Sequence, residues 1–421
     1  MWTKDHCVLN VNGQKAYIRK ERLPQLKQVD GIVFDCDGVL VDIRDSYNKV
    51  ISKTVVYILE ALTGAKVPER LVSNEVIFLF RKTGGFNNDW DTVYGILMFV
   101  LSSLPDNYKA VLKKQTEKNS VQQAPFERLS TIKKAVKKEF RNDFLGDAFF
   151  DDAFCDLKEF TNLLDASGTA SIDKNLTERA TLNEGSMAFY DVLKGFLHPS
   201  AEVGRSIIAT VFEEFFQGAK LFVQTFGVQP SFNKGSGMIE NEKLIVQPEV
   251  FEKLASLLGE KRLGIASGSR IKPAKYVLGD LIGKFNPKAV VFLETAEEAE
   301  RKLSREKVVP VNLKKPVPYS LLKAAEGFDE LGCILYVGDS VEDALMAKEA
   351  SKTGKNFLFA GVYQYSGLAD LVRDGFLEFG CDMVIPSVND LPLVLETIRR
   401  GEIACRRSFK KNKRNRRRSK G

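Results

Sequence analysis

Residues 31–42 read GIVFDCDGVLVD, with Asp35 and Asp37 two apart straight after a short apolar run and Gly38 directly behind them. Two carboxylates held that close at a strand end repel each other unless a cation or a proton lies between them. Three more polar clusters follow comparable apolar runs or lie between them. They are ASGSR at 266–270, KKPVP at 314–318 and GDSVED at 338–343. If the four meet, Asp35, Asp37, Asp339 and Asp343 surround one point, and so many ionised carboxylates require a cation. Oxygen ligands alone select a hard ion, and Mg2+ fits because it binds a few carboxylates and keeps several waters. With Mg2+ present an anionic substrate becomes acceptable. Ser267, backbone N–H groups around Gly38 and Gly268, and the Lys315 ammonium would then be donors clamping a transferring phosphoryl group. One Asp could attack phosphorus while its neighbour exchanges protons with the leaving oxygen.

For the clusters to meet, the chain must place each one at the same edge of a sheet. GIVF, LGIA, AVVFLET, CILYVG and NFLFAGV read as short buried strands. PEVFEKLASLLGEKR, PAKYVLGDLIGKF, PYSLLKAAEGF and VEDALMAKEAS read as amphipathic helices between them. Alternating strands and helices mean βα units and a parallel sheet, and in open parallel sheets ligands bind at the carboxyl ends of the strands. Residues 47–243 read instead as mainly helical, an insertion separating the first strand from the rest. The expected architecture is therefore an α/β, Rossmann-like parallel sheet with a large, mainly α-helical cap domain. Its parts are an N-terminal extension (1–28) with a hairpin turn at Asn12-Gly13, a core (29–46 and 244–402), a cap (47–243) and a basic tail (403–421).

The four clusters, in this order and with the long gap between the first two, resemble the haloacid dehalogenase superfamily. FDCDG is similar to its hhhDxDG motif, ASGS to the strand ending in Ser or Thr, KPVP to the lysine motif of phosphoglycolate phosphatase-like members, and YVGDSVEDALMAKEA to GDxxxD. The resemblance implies Asp35 as the nucleophile forming an aspartyl-phosphate, and Asp37 as general acid and then base, its backbone carbonyl also meeting Mg2+. It implies Ser267 on a phosphoryl oxygen and Lys315 neutralising charge. Asp339 would be a metal ligand, and Asp343 would support the metal less directly. It favours Lys315 over Lys314 and Asp343 over Glu342. The DxD spacing points to phosphate esters, and the expected substrate is a small phosphorylated metabolite. Phosphate-ester hydrolysis leads; a phosphomutase of the β-phosphoglucomutase type uses the same motifs and stays open.

In the cap, RKTGGFNNDWD (81–91) has two readings. Asn88 or Asp89 could simply cap the WDTVYGIL helix. Alternatively Gly84 and Gly85 allow close approach, and Asn87, Asn88 or Trp90 touches the leaving group. Lys109–Arg141 holds ten basic and three acidic residues, and Asp143–Asp165 holds seven acidic and one basic, so the two could pair with each other.

Of the net charge of +7, ten positive charges fall after Ile403 with no acid among them, which leaves the rest of the chain at −3. The tail suits weak, salt-sensitive nucleic-acid contact without sequence choice. A nucleic-acid-associated factor working through that tail is the reading from another class. The two histidines, His6 and His198, exclude a histidine-rich metal site. The six cysteines form no CxxC pair and read as free, mostly buried thiols in a reducing compartment. With no apolar run near the roughly 18 residues of a membrane span, and no secretory signal, the expected location is the cytoplasm, with no membrane partner. Oligomeric state is silent.

Overall fold

Residues of the apolar tetrad Gly31–Phe34 (β3) are buried at every position. The same holds for Leu263–Ala266 (β6), Ile334–Gly338 (β8) and Phe357–Val362 (β9). Strands buried on both faces belong inside a parallel sheet covered by helices. In the computed structural model, which describes residues 5–86, 88–118, 123–140, 145–180, 184–309 and 311–403, they pair in that way. With His6–Val11 (β1), Gln14–Arg19 (β2), Val290–Val291 (β7) and Met383–Ile385 (β10), they form one eight-stranded sheet of order β1-β2-β10-β9-β8-β3-β6-β7. β3 is third from the β7 edge, parallel to β8 on one side and β6 on the other, so the ends of these three strands open at one edge.

The hairpin read at Asn12-Gly13 forms, and β2 runs antiparallel to β10. The N-terminal segment thus supplies two strands to the core sheet. A second, two-stranded ribbon joins Val41–Asp42 (β4) to Lys243–Leu244 (β5). These are the points where the chain leaves the core for the cap and returns. Between them the cap is helical and holds its own apolar cluster, separate from the two clusters that cover the faces of the sheet. Helices Tyr47–Thr63, Asp89–Ser102 and Ile207–Phe226 contribute much of that cluster; the last is broken at Gly218. The arrangement is an α/β core with a helical cap.

Three expectations differ from the structure. AVVFLET is a strand only at Val290–Val291; Leu293 already begins the helix Leu293–Lys307, whose charged sequence outweighs the short apolar run before it. The basic and acidic cap segments do not pair: among the described residues, the acidic helix Asp147–Phe160 is bridged instead by Arg70–Asp151 and Lys158–Glu75. Cys7 is disulfide-bonded, whereas Cys36, Cys155, Cys333 and Cys381 are free thiols. Cys36 packs in the apolar cluster on one face of the sheet. Among the described residues no helix is long and apolar enough to cross a membrane. The basic tail beyond Ile403 lies outside the described residues.

Candidate active site

Asp35 is the first residue past β3, and its N–H donates to the Val337 carbonyl on β8 at 2.8 Å, so the backbone ladder fixes where its side chain starts. The Lys315 ammonium sits 2.9 Å from Asp35 Oδ1 and 2.7 Å from Asp343 Oδ1. All three side chains are buried: 7% of the Asp35 side chain is exposed, 5% of Lys315 and none of Asp343. Asp343 is held hard. Its Oδ1 also lies 2.9 Å from the Tyr336 hydroxyl, and its Oδ2 accepts from the Ser340 N–H and hydroxyl. The Ser340 hydroxyl in turn caps the Asp343 N–H, a reciprocal capping box opening the helix Val341–Ser351. With its acceptor positions occupied by protein donors, Asp343 anchors Lys315.

Asp37 belongs to the tight turn after β3, closed by Gly38 N–H to Val41 O at 2.8 Å. The Ser269 hydroxyl donates to its Oδ2 at 2.5 Å. Ser269 is in turn joined to Ser267: the Ser269 N–H donates to Ser267 Oγ at 3.1 Å, and the two hydroxyls are 3.1 Å apart. Asp339, one residue past β8, lies against the Gly38 backbone. A Cβ at Gly38, whose φ is +73°, would fall 2.0 Å from Asp339 Oδ2. Gly38 is therefore required twice, for its left-handed backbone and for the room Asp339 occupies. Gly38→Ala is expected to displace that carboxylate and lower kcat about 100-fold, the scale of an ångström's misplacement at a reacting centre. Steady-state phosphate release at saturating substrate reads the effect.

Electrostatics agree with the geometry. Burial pushes Asp35 up to about 7; Lys315 opposes this, while Asp343 and Asp37 add to it. Asp37 rises to about 6 through burial, against the hydrogen bond from Ser269. Burial, then the charges of Asp343 and Asp35, hold Asp339 well above the carboxylate range. Burial pulls the Lys315 ammonium down, but Asp343 and Asp35 more than offset it and keep it charged. One ammonium thus serves several buried carboxylates, and the site is short of positive charge. Oxygens of Asp35, Asp339 and Asp343 lie within 4.8 Å of one another, and Asp35 Oδ1, though beside Lys315, has no properly aligned hydrogen-bond donor. A hard divalent cation fits the oxygens of Asp35 and Asp339, beside the fully bonded Asp343.

Asp35, Asp37, Ser267, Gly268, Asn88, Trp90, Lys315 and Asp339 all line one cavity of about 770 Å3 between cap and core. Asn87 lies outside the described residues. In the 81–91 segment the capping reading holds for Asn88, whose side chain accepts from Trp90 N–H at 3.1 Å. Close approach at Gly85 is to the loop Asp165–Gly168, where a Cβ would meet backbone at 2.6 Å. Trp90 is buried, and its indole N–H is given to Glu213. Sequence reasoning missed Ser269, Tyr336 and the cap residues Arg81, Asp89, Glu213 and Gln217. Glu213 and Gln217 carried a signal: with Glu214 they place three polar residues within five positions of a mainly apolar helix, Glu213 and Gln217 four apart on one face.

The sequence model of the haloacid dehalogenase-like hydrolases matches residues 29–351, and the chain belongs to that family of hydrolases. No curated protein sequence matches it significantly. One solved structure it resembles is an X-ray structure from the Northeast Structural Genomics Consortium. That structure is 18% identical with a TM-score of 0.57, and the match covers 88% of this chain and 99% of the other. At that identity the likeness concerns the fold alone.

Proposed function

We propose that the protein is a Mg2+-dependent phosphatase that hydrolyses a small phosphomonoester through an aspartyl-phosphate on Asp35. The observation that carries the reading is the placement of two inequivalent carboxylates on one cavity. Asp35 is oriented by the sheet and flanked by Lys315. Asp37 instead accepts from the Ser269 hydroxyl.

In the first step an Asp35 oxygen forms a bond to phosphorus as the bond to the leaving oxygen breaks, and Asp37 delivers its proton to that oxygen. In the second, Asp37 takes a proton from water, the water oxygen bonds to phosphorus, and the Asp35–phosphorus bond breaks to release phosphate. A carboxyl titrating at about 6 can serve both steps near neutral pH. Lys315 holds Asp35 in position and balances charge on it, and Ser267 offers a hydroxyl toward a phosphoryl oxygen. Mg2+, held by Asp35 and Asp339, would supply the positive charge the carboxylates and a phosphate dianion together demand.

The test is phosphate release from p-nitrophenyl phosphate and a panel of phosphorylated metabolites, with Mg2+ and with EDTA. Turnover in Mg2+ and none in EDTA is expected. Equal rates in both would refute the metal requirement, and no release from any ester would refute the phosphatase.

A further inference from the structure

The cap contributes a built polar corner to the cavity that the phosphoryl chemistry does not use. Glu213 and Gln217, four residues apart on the helix Ile207–Phe226, both line it, and both are buried, Gln217 to 3% exposure. Glu213 Oε1 accepts from the Trp90 indole at 3.1 Å, and Glu213 Oε2 accepts from Gln217 Nε2 at 2.6 Å. The Gln217 amide gives its N–H to this second bond, which turns its Oε1 away from Glu213. That oxygen is buried and, among the described residues, has no hydrogen-bond partner. The Trp90 indole N–H and one of the two Gln217 amide N–H groups are consumed, while the Gln217 carbonyl and the spare lone pairs of Glu213 stay open as acceptors.

Three of the cationic groups that line the cavity face carboxylates of the protein itself. Arg81 is bound to Asp89 at 2.8 Å, and Arg270 is forked onto Glu297 at 2.9 and 3.2 Å. Lys314 lies in the field of Asp91. A buried acceptor without a donor is costly, so the group that belongs here brings donors of its own.

We infer that Glu213 and Gln217 select a leaving group that donates hydrogen bonds, a polyol or an amino alcohol, and disfavour one that carries a carboxylate. The inference rests on the phosphatase reading and adds the class of alcohol released. Trp90 is a positioning residue here, holding Glu213 by its N–H. Burial raises Glu213 to about 7 against the opposing charge of Arg270 and the bonds from Gln217 and Trp90, so a substrate donor also relieves the cost of ionising it.

The experiment compares kcat/KM of the full chain in Mg2+ for sorbitol 6-phosphate, phosphoethanolamine, phosphoglycolate and p-nitrophenyl phosphate. It is then repeated with Gln217→Met and Glu213→Leu. Each result is expressed as a ratio to p-nitrophenyl phosphate within the same preparation, so that partial loss of folded protein cancels. The expected result is that sorbitol 6-phosphate or phosphoethanolamine exceeds phosphoglycolate, and that this advantage falls roughly tenfold or more in both variants. Preference for sorbitol 6-phosphate identifies hydroxyl donors, and preference for phosphoethanolamine identifies an ammonium. Phosphoglycolate hydrolysed as well as either, or ratios unmoved by both substitutions, overturns the inference and leaves the phosphatase standing. No phosphate release from any of the four esters overturns both.

Discussion

Asp35→Asn is expected to lower phosphatase turnover by roughly 10⁴-fold or more, the scale on which removing a nucleophile acts, and yet to stabilise the metal-free protein at neutral and alkaline pH. The two effects have one origin. Asp35 is buried where a carboxylate is useful for attack and expensive to keep charged, and its pKa is raised from 3.8 to about 7. The folded state therefore binds this proton more tightly than the unfolded chain does. Stability in EDTA then falls as pH rises from about 4 to about 7, and the loss is complete above that window. An asparagine has no such slope. Thermal unfolding in EDTA is expected to show the variant melting above the wild type at pH 8, with the gap narrowing toward pH 4. A variant that kept its turnover would remove Asp35 from the chemistry. One that melted below wild type at pH 8 would contradict the charge balance drawn for the site.

Lys315→Met is expected to be damaging on both counts. Turnover should fall by roughly 10²–10³-fold, as when a preorganised electrostatic partner is lost. The fold should also lose about 3–5 kcal/mol, the usual cost of deleting one partner of a buried ion pair. The lysine is 5% exposed and lies within 3 Å of both Asp35 and Asp343, so its removal strands two carboxylates rather than one. The sign of the stability change is thus opposite to that for Asp35→Asn at pH 8, although the two residues touch. A urea titration of both variants in EDTA at pH 8 separates them. Equal shifts in the same direction would show that Lys315 is not the counter-ion on which these carboxylates depend.

Why these residues were readable and others were not follows from how each is specified. Asp35, Asp37, Ser267, Asp339 and Asp343 lie in short contiguous clusters just past buried strands, so the rule that places ligands at strand ends gathers them, whereas Lys315, between the helices Leu293–Lys307 and Tyr319–Glu326, is reached through the likeness of KPVP to the family's lysine motif. Tyr336 completes the Asp343 anchor, but within ILYVG it looks like any other strand aromatic; only the register of β8 on β3, with β6 beyond, places its hydroxyl against Asp343 and the Ala266 carbonyl. Ser269 was in view inside ASGSR, but its partner Asp37 is 232 residues away, a pairing that no local pattern encodes. At AVVFLET a five-residue apolar run does not by itself say where a strand stops and a helix starts. The charge segregation in the cap was real in the sequence, but charge blocks on helices carry no address, and the acidic helix is instead bridged to residues 70 and 75.

The two-residue ribbon of β4 and β5 has a consequence for how such a protein can change. Val41 lies opposite Leu244 and Asp42 opposite Lys243, so the chain leaves the sheet and comes back at neighbouring positions. Topologically the whole cap is one long loop with its ends pinned together. Its length and contents can drift, be shortened or be exchanged between lineages without shifting the register of β3, β6 or β8. The acceptor corner formed by Glu213 and Gln217 sits wholly inside that exchangeable loop, whereas Asp35, Asp37, Lys315 and Asp339 sit wholly outside it. Selection on which alcohol is released and selection on the reaction itself therefore act on separate stretches of sequence, joined at a single pair of facing residues on each strand.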